Sequence, residues 1–240
     1  MEFSEAVKRR RSVRKYDPNQ PIDAEIVRQC IEMATLAPNS SNMQLWEFYH
    51  LTDKKALKKM SRLCFNQNAA KTAQQIVVMV VRKDLWRKRA EAHVKYLHQI
   101  FGEKPKNERS KREKFAFNYY TKLIPLAYFD ILGLVGLLKY GLYWIIGLFR
   151  PVFRQGTLGD MRIVAHKSAA LAAQTFMLAM ADKGYDTCPM EGSDTLRIKK
   201  MLGLPYGAEI NMVVGCGIRL PEGIYGARFR VPFEEVYKKI

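Results

Sequence analysis

Two arginine-rich segments stand near opposite ends of the chain. Arg10, Arg11, Ser12 and Arg14 fall within a basic stretch at residues 8–15, and Arg228-Phe229-Arg230 lies close to the C-terminus. A phosphate monoester needs several fixed donors. A guanidinium presents a planar fork and a serine adds a hydroxyl. In extended backbone, alternate side chains share a face, so Arg10, Ser12 and Arg14 line one side while Arg11 points elsewhere. Arg228 and Arg230 alternate in the same way, with Phe229 expected to be buried opposite. A hydrogen bond to a charged group contributes about 1.5–3 kcal/mol, so four or five could retain a phosphorylated ligand without a covalent link. Taken singly, each segment is also readable as solvated basic surface.

Three further segments offer polar groups between these ends. Pro38-Asn39-Ser40-Ser41-Asn42-Met43-Gln44 carries amides and a hydroxyl pair that donate and accept, as the edge of a flat heterocycle requires. Its composition equally suits a helix-to-strand turn. In Pro189-Met190-Glu191-Gly192, the glycine permits close backbone approach to a ring, and Ser193 is the expected cap of the next helix. Asn68 and Lys71 lie one helical turn apart. Lys71 supplies a cation suited to a ring that gains negative charge, although a surface lysine is the plainer reading. No side chain stands out as a catalytic acid or base.

These groups need a scaffold. Helical spacing is expected at residues 4–11, with Ser4 as cap, at 23–36 from Asp23, at 53–63, at 84–101, at 194–202, and from His166 to Lys183 with Gly184 closing that helix. Leu45–Leu51, Ile76–Val81, residues 185–188 and Asn211–Ile218 read as strands. Ile76–Val81 is apolar at every position, which predicts burial on both faces. The pattern gives an α+β fold, a central sheet sandwiched by helices.

At 240 residues with 48% hydrophobic content, a single domain over 1–240 is expected and a disordered chain is excluded. Cys30, Cys64, Cys188 and Cys216 show no paired or metal-like spacing, which fits reduced thiols in a cytoplasmic setting. No apolar signal core follows Met1. The formal charge of +17 admits nucleic acid, anionic lipid or a phosphorylated ligand as partners. No base-reading motif is visible, so nucleic acid is not expected.

One region stands apart. From Ile131 to Phe149 the only charged residue is Lys139, and Lys104 to Lys114 just upstream is strongly basic. Nineteen residues are long enough to span a bilayer, but a central lysine costs about 3 kcal/mol on insertion. Gly133, Gly136, Gly141 and Gly147 argue against a simple straight helix. Three readings stand: a lid or dimer-covering hairpin, a membrane-surface contact through 123–149, and a spanning helix.

The order and spacing of Arg10-Arg11-Ser12-Val13-Arg14, Pro38 to Trp46, Pro189 to Gly192 and Arg228-Phe229-Arg230 resemble the nitroreductase family of FMN-dependent flavoproteins. The likeness covers residues 4–84 and 160–240. It implies a mostly antiparallel sheet flanked by helices, in an intertwined homodimer with FMN at the subunit interface. It implies that Arg10, Ser12, Arg14, Arg228 and Arg230 hold the phosphate, with Arg11 beside them. Asn68 and Lys71 would meet the pyrimidine. Pro38, Asn39, Ser40, Asn42 and Gln44 would come from the partner subunit. Pro189, Met190, Glu191 and Gly192 would bring backbone near flavin N5. The implied reaction passes hydride from NAD(P)H to a planar acceptor, a nitroaromatic or quinone, by ping-pong turnover. Reductive dehalogenation and flavin degradation are same-fold alternatives, and a membrane-surface binding protein is a third. Asn39 and the long apolar segment at about 102–158 depart from the usual pattern.

Overall fold

The computed structural model describes residues 2–129, 134–154 and 156–240. The first three residues of the Ile131–Phe149 run lie outside the described residues. Four strands make one sheet: β1 (Trp46–Leu51), β2 (Gln75–Val81), β3 (Asp186–Met190) and β4 (Glu209–Gly217), in the order β1-β2-β4-β3. All three strand pairs are antiparallel, with Trp46 opposite Val81, Gln75 opposite Cys216 and Thr187 also opposite Cys216. The sheet is extended by an isolated parallel bridge from Ser12 to Thr187. Pro189, which has no N–H to give a ladder, sits on the edge strand β3, where its loss is tolerated.

β2 is fully buried, and its alternation divides the core. Ile76, Val78 and Val80 face one side with Met60 from α3 (Lys54–Leu63), Cys64 just past its end, and Ile198 from α10 (Thr195–Met201). Val77 and Met79 face the other with Val27, Cys30, Phe176 and Met180, from α2 (Ala24–Ala34) and α9 (Leu158–Asp182). Each such side chain contributes about 1.5–3 kcal/mol on leaving water, so covering both faces explains the uninterrupted apolar run.

Local chemistry moved several boundaries. Helix α1 (Phe3–Arg9) is capped by Glu2, whose N–H donates to Glu5 at 3.4 Å, and not by Ser4. Helix α9 begins eight residues before His166. Thr157 and Asp160 form a reciprocal capping box there, which satisfies N–H groups that have no partner within the helix. Gly184 ends it at φ +81°, as expected. α9 is long and apolar enough to cross a bilayer, yet half of that stretch is buried in the core. Asp194, not Ser193, caps α10 by accepting from the Arg197 N–H at 3.0 Å.

Remaining elements are α4 (Asn68–Lys71), α5 (Trp86–Phe101), α6 (Lys111–Asn118), α7 (Ile124–Tyr128), α8 (Leu134–Ile146) and α11 (Phe233–Val236). Between α6 and α7, Tyr119–Leu123 forms a π-helical turn. Gly136 and Gly141 do not break α8, contrary to the expectation from composition.

Candidate functional site

The N-terminal segment is held extended by what lies beneath it. Val13 and Tyr16 are fully buried. The Val13 N–H donates to the Thr187 carbonyl at 3.1 Å, the Arg14 N–H to Gly223 at 2.7 Å, and the Tyr16 hydroxyl to Gly215 at 2.8 Å. Burial of Val13 turns Ser12 and Arg14 outward. The C-terminal segment then crosses this strand. Arg11 donates to the Gly226 carbonyl at 2.5 Å, and Arg228 to the Lys8 and Arg10 carbonyls at 2.8 and 2.6 Å.

The two chain ends therefore meet. Arg10, Arg11, Ser12, Arg14, Arg228 and Arg230 line one cleft of about 330 Å³, together with Tyr225. Among the described residues, no carboxylate pairs with any of the five arginines. Burial, and then the guanidiniums of Arg228, Arg230 and Arg11, hold Arg10 below the usual guanidinium value. Like charges gathered without a counter-ion repel, and an anion placed among them would relieve the repulsion. Two expectations change. Phe229 is 78% exposed, not buried, because none of the described residues covers it. Arg228 spends much of its guanidinium on carbonyls at the C-terminal end of α1, so it joins the termini as well as lining the cleft.

A second group continues from the cleft. Asn68 donates to the Tyr225 hydroxyl at 2.8 Å, and Gln67 donates to the Gly192 carbonyl at 2.7 Å. Arginine cleft, Tyr225, Asn68 and Gly192 thus follow one another. Lys71 ends the same short helix and is exposed. That helix packs its Ala69 carbonyl against β4 so closely that a Cβ on Gly215 would meet it at 2.8 Å, which is why position 215 is glycine. Pro189 and Met190 lie within β3, with the Met190 side chain in the core. They carry the exposed Glu191-Gly192 to the strand end. Tyr225 and Gln67 were not foreseen. Their partners lie 157 and 125 positions away, and no local pattern marks them.

The third group is a strained turn. Ser41, Asn42 and Gln44 all have left-handed backbone, at φ 55°, 50° and 48°. Such residues persist only when the surroundings fix them. Here the Asn39 side chain accepts from the Gln44 N–H at 2.8 Å, and Ser168 accepts from the Ser40 N–H at 3.3 Å. The π-helical turn adds Tyr119, 2.6 Å from the Ser41 hydroxyl, and Tyr120, donating to the Ser41 carbonyl at 3.1 Å. His93 donates to the Asn42 carbonyl at 2.7 Å and stacks on Tyr120 at 4.3 Å. Tyr119, Tyr120 and His93 also escaped the sequence reading.

Pro38 to Gln44 does not reach the arginine cleft of its own chain. The turn feeds β1 at Trp46, opposite Val81, whereas Ser12 sits beyond β3 at the level of Gln75. Four strand spacings across and six residues along separate them, on the order of 25 Å. The cleft and the turn occupy diagonally opposite corners of the sheet. The four cysteines take no part, since all are buried, and burial pushes the Cys30 and Cys64 thiols up to about 11.

A model described as "Nitroreductase family" matches residues 7–218. Protein DrgA of Synechocystis sp. is 26% identical over 219 residues, covering 91% of this chain and 85% of that protein. MhqN of Bacillus subtilis, whose name carries a provisional NAD(P)H nitroreductase assignment, is 22% identical over 236 residues, or 98% of this chain and 97% of its own. A protein of Exiguobacterium sibiricum, solved in complex with FMN, superposes with a TM-score of 0.68 at 22% identity, over 100% of this chain and 98% of its own. That likeness is one of fold. A family match running from the first arginine cluster through the whole of the sheet leaves one assignment: the chain belongs to the nitroreductase family.

Proposed function

We propose that this protein is an FMN-dependent oxidoreductase that takes hydride from NAD(P)H and gives it to a planar acceptor, a nitroaromatic or quinone, in two alternating half-reactions. One observation carries the reading: guanidiniums from both chain ends converge on a cleft where no carboxylate among the described residues pairs with them. Such a cleft suits a dianionic phosphate, which accepts from several guanidiniums at once. The FMN complex of the Exiguobacterium relative and the NAD(P)H assignment in the name of MhqN support the same cofactors.

When bound, FMN supplies the hydride chemistry, and the protein supplies binding and orientation. Arg10, Ser12, Arg14 and Arg230 donate to the phosphate, with Arg11 and Arg228 fixing the cleft wall. Asn68 offers its amide to the polar edge of the ring, and Lys71 adds a positive charge there. Glu191-Gly192 brings backbone close to the ring. Pro38, Asn39, Ser40, Asn42 and Gln44 serve the site of a second copy, since about 25 Å separates them from their own cleft. The homodimer this requires is supported by the exposed apolar residues of the C-terminal segment, Phe229, Val231, Phe233 and Val236, which need a cover.

Purification tests the proposal. The expected protein is yellow, with a flavin absorption spectrum, and oxidises NADH or NADPH in the presence of a quinone. A colourless protein that added FMN cannot reconstitute refutes it.

A further inference from the structure

Helix α8 is inside out for a protein in water. At 100° per residue its exposed positions sweep an arc of roughly 200°, from Tyr140 through Leu134 to Leu142. Leu137, Leu138, Ile145 and, just past the helix, Leu148 and Phe149 extend this surface. Leu138, Leu148 and Phe149 are 75%, 76% and 84% exposed. The helix's one charged residue points the other way. Lys139 is buried and its ammonium donates to the Phe129 carbonyl at 2.7 Å. The inward face is covered by neighbouring chain: Gly156 lies so close to the Tyr143 ring that a Cβ there would clash, and Gly147 lies equally close to Arg154.

We infer that α8 is a membrane-docking helix that lies in the surface of an anionic phospholipid bilayer. Three observations favour lipid over a protein partner. An arc of roughly 200° is about twice the stripe a helix buries against a protein face, whereas immersion in acyl chains covers all of it. The arc's edge carries Tyr140 and Trp144, with the Arg154 guanidinium 5.5 Å from the Trp144 ring, the arrangement suited to the headgroup level. The charge is complementary as well. Between Glu113 and Asp160 the sequence has one acidic residue, Asp130, against Lys114, Lys122, Arg150 and Arg154, with the buried Lys139 left out. Thirteen helical residues measure about 20 Å, short of the roughly 30 Å hydrocarbon core, so the helix lies in the plane and does not cross. The bond from Lys139 to the Phe129 carbonyl also lowers the buried-charge cost that the bare sequence assigns to this run.

The inference does not depend on the flavin reading, which the absorption spectrum reports separately. The test is flotation of the full-length protein with vesicles of phosphatidylcholine plus phosphatidylglycerol, against vesicles of phosphatidylcholine alone. The protein is expected to float with the first, to partition several-fold less into the second, and to be weakened by salt. Leu138→Glu with Ile145→Glu should lower partition about a hundredfold or more and leave the far-UV circular dichroism and the sedimenting mass unchanged. Should that double variant fail to fold, Leu148→Glu, beyond the end of the helix, takes its place. Wild-type protein that ignores anionic vesicles, or variants that float equally well, overturn the inference. So does a variant that halves the mass of the protein without lipid, because the arc is then an interface between copies.

Discussion

Replacing Arg10 with glutamine separates a ligand-binding arginine from a structural one by the sign of two effects. Arg10 shares its cleft with Arg11, Arg228 and Arg230, and no described carboxylate offsets them. In the free protein these three neighbours together repel it by roughly 1 kcal/mol after solvent screening. R10Q relieves that repulsion, so the FMN-free protein should gain about 1 kcal/mol and melt about 2–4 °C higher. The same change removes a charged donor to the phosphate. A loss of about 1.5–3 kcal/mol weakens FMN binding roughly 10- to 150-fold. Raising the salt concentration should shrink both differences, because both are electrostatic in origin.

Arg9 is the control. It is adjacent in sequence, yet its guanidinium donates to the Gly184 carbonyl at 2.6 Å and ties α1 to the end of α9. R9Q should lower the melting temperature and spare FMN affinity. The assays are thermal unfolding of FMN-free protein and a flavin fluorescence titration at two ionic strengths. Unchanged affinity in R10Q, or an FMN-free R10Q that melts lower than wild type, refutes the reasoning.

Four other outcomes follow from the same geometry. Tyr225→Phe removes the acceptor for Asn68 and should weaken FMN binding by about 1 kcal/mol with little change in melting temperature, read by titration and unfolding side by side. Phe176→Ala hollows the core between α9 and the sheet, where Phe176 is fully buried, and should cost about 3–5 kcal/mol in denaturant unfolding. Thr157→Ala breaks the capping box of α9 and should cost about 1 kcal/mol by the same measurement. The Cys30 and Cys64 thiols are raised from 9.0 to about 11 by burial, so the folded state favours their neutral form. That contribution, roughly 2 kcal/mol each, is complete below about pH 9 and is lost as pH rises towards about 11, so unfolding free energy should fall across that window.

The parts of this protein that could be read from sequence are those fixed by near neighbours. Ile76–Val81 announced a strand covered on both faces because each residue is apolar. Asp23 announced a helix start because capping acts over three residues. The arginines of both ends were legible by type and alternation. What escaped was decided at a distance. Nothing near Tyr225 shows that Asn68 is its partner, and nothing near His93 shows that it stacks on Tyr120 and steadies Asn42. Phe229 was misjudged because alternation says which residues share a face and not whether anything lies beneath. Lys139 was misjudged for a related reason, since its partner is the backbone carbonyl of Phe129, ten positions away, which residue type does not mark.

The placement of the arginine cleft links ligand binding to the order of the chain ends. Its walls are residues 10–14 and 224–230, which lie beyond the edge strand β3, where Val13 and Ile224 anchor them to the core while the arginines face the cleft. The C-terminal wall is joined to the N-terminal one largely by arginine donors on carbonyls, from Arg11 to Gly226 and from Arg228 to Lys8 and Arg10. Such exposed bonds open at little cost when like charges push the walls apart. A phosphate that binds only the closed arrangement stabilises it by mass action, about 2.7 kcal/mol at a hundredfold excess over Kd. FMN should therefore slow amide exchange at Arg11, Arg14 and Gly226 far more than at Val77 or Val214, whose protection comes from the core. Measured residue by residue with and without FMN, equal gains at both sets would mean that the ligand acts on global stability and that the ends were already closed.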